Sequence, residues 1–168
     1  HYTSCYDIAL MSRELLKHKM ITNYTTIWMD TLRGGKTQLV NTNKLIRFYN
    51  GATGLKTGTT DKAGCCVSAT AERDGMSLIA VVLGSDNSKD RFSAARAMLD
   101  WGFANYSKVT VSVDSDKITS VRVLGGTEDY ITPFLSMDMT VVLKTEDMSK
   151  LSNEVVLSAD VSAPVEKG

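Results

Sequence analysis

The sequence predicts an α+β fold: helices packed on an antiparallel sheet over residues 1–106, then a small all-β unit over residues 107–168. Three observations predict it. Helical periodicity opens the chain and returns over 88–105. Between those stretches, two long extended runs meet at Asp74-Gly75, a two-residue hairpin signal. After Tyr106 the helical pattern gives way to short runs of β-branched residues broken at Asp114, Gly125-Gly126 and Glu146-Asp147.

In chain order, Thr3 or Ser4 is suited to cap a first helix, with Asp7 near the positive end of its dipole. Ile8, Met11 and Leu15, widened by Ala9 and Leu16, form its apolar stripe, and Lys17-His18-Lys19 suits its C-terminal end. Residues 25–32 read as extended, Arg33-Gly34-Gly35-Lys36 as a turn, and 37–40 as a strand pairing back. Residues 41–52 read as loop with one short ordered piece. The hairpin runs from 64–73 through Asp74-Gly75 to 76–84. Its continuous apolar stretch Leu78–Leu83 predicts a strand covered on both faces. In the second helix, Phe92, Ala95, Met98 or Leu99, and Phe103 form the expected buried stripe, with Trp101 near the end. Strands are expected at 109–113, 118–124, 139–145 and 154–161. With a boundary near Ser107, the last part reads as a β-sandwich-like domain, incomplete at its size.

Nineteen basic residues balance nineteen acidic ones, and no polybasic run occurs, so there is no electrostatic footprint for nucleic acid. No apolar stretch is long enough to span a bilayer. The N-terminus has neither an initiator Met nor a signal-peptide pattern, and the chain is expected to be a piece of a longer polypeptide. Cys5, Cys65 and Cys66 fit neither zinc nor redox spacing and read as small buried thiols. His1 and His18 have no partner cluster in the sequence, and His18 reads as a basic group at a helix end.

The segment with chemical content is Lys56-Thr57-Gly58-Thr59-Thr60, on an extended stretch just before the hairpin. Its surroundings give it specificity: GLKTGTT (54–60), AGCCVSATAERDGMSLIAVVLGSD (63–86), DRF (90–92) and AARAMLDWGF (94–103), with HYTSCYDIALMSRELLKH (1–18) upstream. Together these resemble the low-molecular-weight penicillin-binding proteins that act as serine D-alanyl-D-alanine carboxypeptidases. The resemblance implies that 1–106 is the C-terminal part of a β-lactamase/transpeptidase-like domain. The segment after 107 resembles the family's small β domain.

That family combines Ser-x-x-Lys, Ser-x-Asn and Lys-Thr-Gly, in that chain order. A serine hydroxyl is a poor nucleophile until a base takes its proton, and the lysine one turn after it is the candidate base. Carried over, Lys56 keeps the cleft positive and helps bind a substrate carboxylate. Thr57 is mainly structural, because neighbouring strand residues face opposite sides. Gly58 gives clearance for the substrate backbone. The Thr59 N–H is one oxyanion-hole donor, and the hydroxyl of Thr59 or Thr60 can reach the terminal carboxylate. Arg91 matches the family's arginine at the start of the helix after the hairpin, where it can pair with a carboxylate. The competing readings are a solvated edge-strand lysine for Lys56, a structural hydroxyl for Thr60, and for Arg91 a surface charge or an ion pair with Asp90 or Asp86.

Ser85-Asp86-Asn87 spells the second family motif but follows Lys-Thr-Gly, so it reads as a turn that caps the second helix. No serine in the chain has lysine three positions later. Neither nucleophile nor base is present, and the chain taken alone is expected to be inactive. The resemblance implies no metal or organic cofactor. It implies as partners a peptidoglycan stem peptide ending in D-Ala-D-Ala, β-lactam antibiotics and the N-terminal remainder of the same protein, and an extracytoplasmic location in the cell envelope. The alternatives are a β-lactamase of the same fold and a module that binds peptidoglycan peptides without hydrolysis.

Overall fold

The computed structural model describes residues 2–135 and 139–166. His1 lies outside them. The chain divides into two compact units, His1–Tyr106 and Ser107–Gly168.

In the first unit, α1 (Cys5–Leu16) starts where a capping box can close it: Ser4 Oγ accepts from the Asp7 N–H, and the Asp7 carboxylate accepts from the Ser4 N–H. A 3₁₀ turn (Lys19–Ile21) and one helical turn, α2 (Thr22–Thr25), follow. The extended reading of 25–32 therefore holds only for β1 (Met29–Leu32), which pairs antiparallel with β2 (Thr37–Val40). The turn between them carries positive φ at Arg33, Gly34 and Gly35. The short piece expected in 41–52 is α3 (Leu45–Phe48).

The main sheet has the order β3-β4-β5, all antiparallel: β3 (Ala52–Thr60), β4 (Gly64–Arg73) and β5 (Met76–Ser85). Arg73 pairs with Met76, and Asp74 and Gly75 both take positive φ (50° and 72°), which the type I′ hairpin requires. Next, α4 (Ser88–Asn105) is capped by Asn87, whose Oδ1 accepts from the Asp90 N–H at 2.9 Å, while Ser85 Oγ donates to the Asn87 carbonyl. Ser85-Asp86-Asn87 is thus a capping sequence, as its position in the chain predicts.

The core lies on the α4 side of the sheet. Val67, Ala69 and Ala71 of β4, Ala80 of β5, Phe92, Ala95 and Leu99 of α4, and Leu45 and Tyr49 are buried together. Small residues on β4 let the helix lie close. At Gly102 a Cβ would sit 2.5 Å from Leu78 Cδ1, so glycine lets the helix approach with the Leu78 side chain where it is. Of the two candidates in the helix stripe, Leu99 is buried and Met98 faces outward.

Three expectations are corrected. The stripe of α1 is unevenly covered: Ile8, Ala9 and Leu16 are half-buried, Met11 and Leu15 are 58% and 40% exposed, and the one residue α1 fully buries is Ser12. The Leu78–Leu83 stretch is only half covered, with Ala80 alone buried in it. Its α4 face is packed while α1 covers the other face incompletely. The cysteines are not buried either; Cys5 is exposed and the other two are half-buried.

The second unit contains β6 (Tyr106–Val111), which begins at the last residue of the first, β7 (Val121–Leu124), β8 (Tyr130–Ile131), β9 (Met139–Lys144) and β10 (Asp160–Ser162). β7 pairs parallel with β10 and antiparallel with β8, and β6 pairs with β9. The strand expected at 118–124 shrinks to four residues, and of the strand expected at 154–161 only Asp160 and Val161 are in β10. A 3₁₀ turn at Ser115–Lys117 takes up the approach to the first.

Candidate active site

β3 is an edge strand of the described sheet. Its register on β4 sorts the predicted site residues by face. Lys56 lies opposite Ser68 and Gly58 opposite Cys66, whereas Thr57 lies opposite Val67 and Thr59 opposite Cys65. Directly opposed residues share a face. Lys56, Gly58 and Thr60 therefore lie on the α1 side of the sheet, and Thr57 and Thr59 on the α4 side with the core residue Val67.

On the α1 side an open apolar groove of about 550 Å³ runs between helix and sheet. Ile8, Met11, Leu15, Leu55 and Leu83 line it, together with Lys56 and Gly58. A Cβ at Gly58 would meet nothing within 4 Å, so a ligand backbone can come close there. Lys56 is exposed, and its Nζ donates to the Thr57 carbonyl.

The open edge of β3 follows from hydrogen-bond geometry. Arg91 Nη1 lies 3.2 Å from the Gly58 carbonyl oxygen and 3.1 Å from that of Cys66. Strands are about 4.8 Å apart, so one nitrogen can reach both oxygens only if both carbonyls point into the gap between β3 and β4. Successive residues of an antiparallel strand direct their N–H and C=O to opposite edges. With Gly58 turned toward β4, Thr57 and Thr59 present theirs to the open edge. The Thr59 N–H then faces the open edge, on the same side as the Thr57 carbonyl to which the Lys56 ammonium donates.

Each remaining predicted residue has a definite place. Thr57 Oγ1 pairs with Thr42 Oγ1 at 2.7 Å, a structural link. Thr60 Oγ1 accepts from the Ala63 N–H at 3.0 Å and closes the turn into β4, which matches the structural reading of that hydroxyl. Thr59 Oγ1 accepts from Arg91 at 3.3 Å and lies 3.7 Å from Cys65 Sγ, on the face away from Lys56. Arg91 is neither a surface charge nor, among the described residues, part of an ion pair. It is buried, and its hydrogen bonds go to carbonyl and hydroxyl oxygens. It does not present a free guanidinium for a carboxylate.

Sequence reasoning passed over the supports of β3. Asn43, 3% exposed, donates to the Gly54 carbonyl at 2.8 Å and accepts from the Leu45 N–H. Asn41 donates to the carbonyls of Thr25 and Ile27. The Asn-x-Asn spacing in 41–43, read only as loop, was the available signal, since Asn side chains complete backbone turns. The buried hydroxyl pair Ser12–Ser68 (2.7 Å), which ties α1 to β4 beneath the groove, had no signal in the sequence.

A family model described as D-alanyl-D-alanine carboxypeptidase matches residues 1–87, and one described as penicillin-binding protein 5, C-terminal domain, matches 106–168. A D-alanyl-D-alanine carboxypeptidase of Bacillus subtilis, DacF, is 38% identical over 172 residues, covering all of this chain and 44% of the relative. Penicillin-binding protein 5 of Haemophilus influenzae superimposes with a TM-score of 0.74 at 25% identity over 100% of this chain and 49% of its own. Penicillin-binding protein D2 of Listeria monocytogenes, solved in a cefotaxime-bound form, gives 0.51 at 35% identity over 56% of this chain and 38% of its own. The chain spans less than half the length of the curated relatives it matches. With both of its units matched by models of one kind of protein, and the Lys-Thr-Gly strand set at an open sheet edge, the chain belongs to the D-alanyl-D-alanine carboxypeptidase family.

Proposed function

We propose that this chain forms one wall of the catalytic cleft of a serine D-alanyl-D-alanine carboxypeptidase. In the whole protein, that cleft removes the terminal D-Ala from peptidoglycan stem peptides and is acylated by β-lactams. The single observation that carries this is the open edge of β3, toward which the Thr59 N–H faces beside the exposed Lys56 ammonium and an unobstructed Gly58.

In this reading the nucleophile and its base come from the rest of the polypeptide as Ser-x-x-Lys. The serine oxygen attacks the scissile carbonyl carbon as the lysine accepts its proton. Negative charge develops on the carbonyl oxygen, and the Thr59 N–H donates to it together with the serine's own N–H. Lys56 holds positive potential over the cleft and attracts the substrate carboxylate. The lysine returns its proton to the leaving nitrogen as the C–N bond breaks and D-Ala departs, and then takes a proton from the water that hydrolyses the ester. The groove between α1 and the sheet fits the apolar side of the segment that brings the serine. The site lies outside the cytoplasm, where peptidoglycan is. Residues 107–168 form the accompanying β domain.

The test is to express the complete polypeptide and the 168-residue chain separately and to treat both with a fluorescent penicillin and with a peptide ending in D-Ala-D-Ala. The complete protein is expected to form a covalent adduct and release D-Ala, and the chain alone to do neither. Rapid penicillin turnover without a persistent adduct would instead indicate a β-lactamase, and a complete protein without either activity a binding module.

A further inference from the structure

Arg91 combines three properties that a substrate-binding arginine does not need. It is 6% exposed. Its Nη1 serves Gly58 O, Cys66 O and Thr59 Oγ1 at 3.2, 3.1 and 3.3 Å, and Nη2 donates to Ser88 Oγ at 3.2 Å. Its Nε is buried and has no hydrogen-bond partner among the described residues. A buried unsatisfied donor opposes folding, and a buried cation without a carboxylate opposes it further. An apolar residue at this helix position would avoid both costs. What it could not do is bridge the carbonyls of β3 and β4 from below at Gly58, the residue before Thr59. This brace lies where the sheet is irregular, since the β4–β5 register shifts between Cys65 and Val67.

The geometry points to Arg91 as a positioning residue for the oxyanion strand, an inference that rests on the function proposed above. By turning the Gly58 carbonyl inward, and by holding the Thr59 side chain on the far face, it fixes the Thr59 N–H toward the cleft edge. Its charge also sits behind that N–H and stabilises negative charge developing in front of it. Lysine keeps the charge but loses the fork that spans several acceptors. Glutamine keeps a donor but loses the charge.

The experiment uses the complete protein and its Arg91→Lys and Arg91→Gln variants. Each is assayed on a peptide ending in D-Ala-D-Ala and on the same peptide with the terminal carboxylate amidated, and each is checked for an unchanged thermal unfolding midpoint. Positioning predicts that kcat falls roughly 10- to 100-fold in Arg91→Gln, and less in Arg91→Lys, with KM changed less than about threefold. The same factor is lost on the free and the amidated peptide. The infrared carbonyl stretch of the penicilloyl ester should also move to higher frequency in Arg91→Gln, since a weaker oxyanion hole polarises it less. A loss appearing in KM, and only on the free-carboxylate peptide, would overturn the inference and restore carboxylate pairing. Unchanged kcat in both variants would overturn it too. If Arg91→Gln misfolds, Arg91→Lys decides by the same two-substrate comparison. Failure of the unmodified protein to react with either substrate would instead refute the proposed function.

Discussion

The two faces of the β3–β4–β5 sheet differ in completeness. Against α4, small residues on the strands meet Phe92, Ala95 and Leu99, with Leu99 only 1% exposed. Against α1, a groove of about 550 Å³ stays open and Met11 and Leu15 keep much of their surface in water. The same strands build both, by alternation: the Val67, Ala69 and Ala71 side of β4 is core, and the Ser68 side joins α1 through one hydroxyl pair. On the packed face the open space, a groove of about 510 Å³ lined by Leu78, Ala80, Met98 and Trp101, lies along β5 and α4, away from the Lys-Thr-Gly strand. The α1 face is the one on which Lys56 and Gly58 stand, so the proposed catalytic wall lies on the side that α1 leaves partly open.

The comparison breaks most sharply under truncation in the packed face. Leu99→Ala is expected to destabilise the chain by about 2–5 kcal/mol in denaturant unfolding, whereas Met11→Ala should cost well under about 1 kcal/mol. Equal costs would show that the two faces are equally packed. Gly102→Ala sets a Cβ 2.5 Å from Leu78 Cδ1, the end of a flexible side chain that must turn away, and alanine's helix-propensity gain of about 1 kcal/mol offsets that cost, so the unfolding midpoint should shift by the equivalent of no more than about 1 kcal/mol.

Smaller effects sharpen the contrast. Ser12→Ala leaves the Ser68 hydroxyl unpartnered and should cost about 1 kcal/mol or more, while Ser12→Ala combined with Ser68→Ala should recover most of that loss. A double variant as unstable as the sum of both singles would argue against the pair. The smallest effect is one of pH. Burial and a hydrogen bond to Asp100 raise the Tyr49 phenol from 10.0 to about 12. Its neutral form is the one the fold favours, so this contribution is fully present below pH 10 and is lost as pH rises through about 12. Tyr49→Phe should flatten the fall in stability over that alkaline window.

Local signals made much of this visible from sequence. Ser4 with Asp7, Asp74-Gly75 and Asn87 each act within a few residues, and the structure places a cap, a hairpin and a cap there. The Lys-Thr-Gly strand was legible because its surroundings are as distinctive as the motif. What was not legible depends on distant partners. Periodicity marks Met11 and Leu15 as apolar-face residues, but cannot say that the surface they face is left open. Arg91 at a helix start reads as a carboxylate-binding arginine or a surface charge. Its burial depends on carbonyls 25 and 33 residues away. In the second unit, β-branched composition overstated strand length, because 118–124 and 154–161 supply only short paired pieces.

If the open edge of β3 is a catalytic wall, Lys56 is its exposed cation. The direct test is the second-order rate of acylation of the complete protein by a fluorescent penicillin, with and without Lys56→Ala. The account predicts a fall on the order of 100-fold or more at unchanged thermal stability. Acylation of Lys56→Ala at the unmodified rate would contradict it.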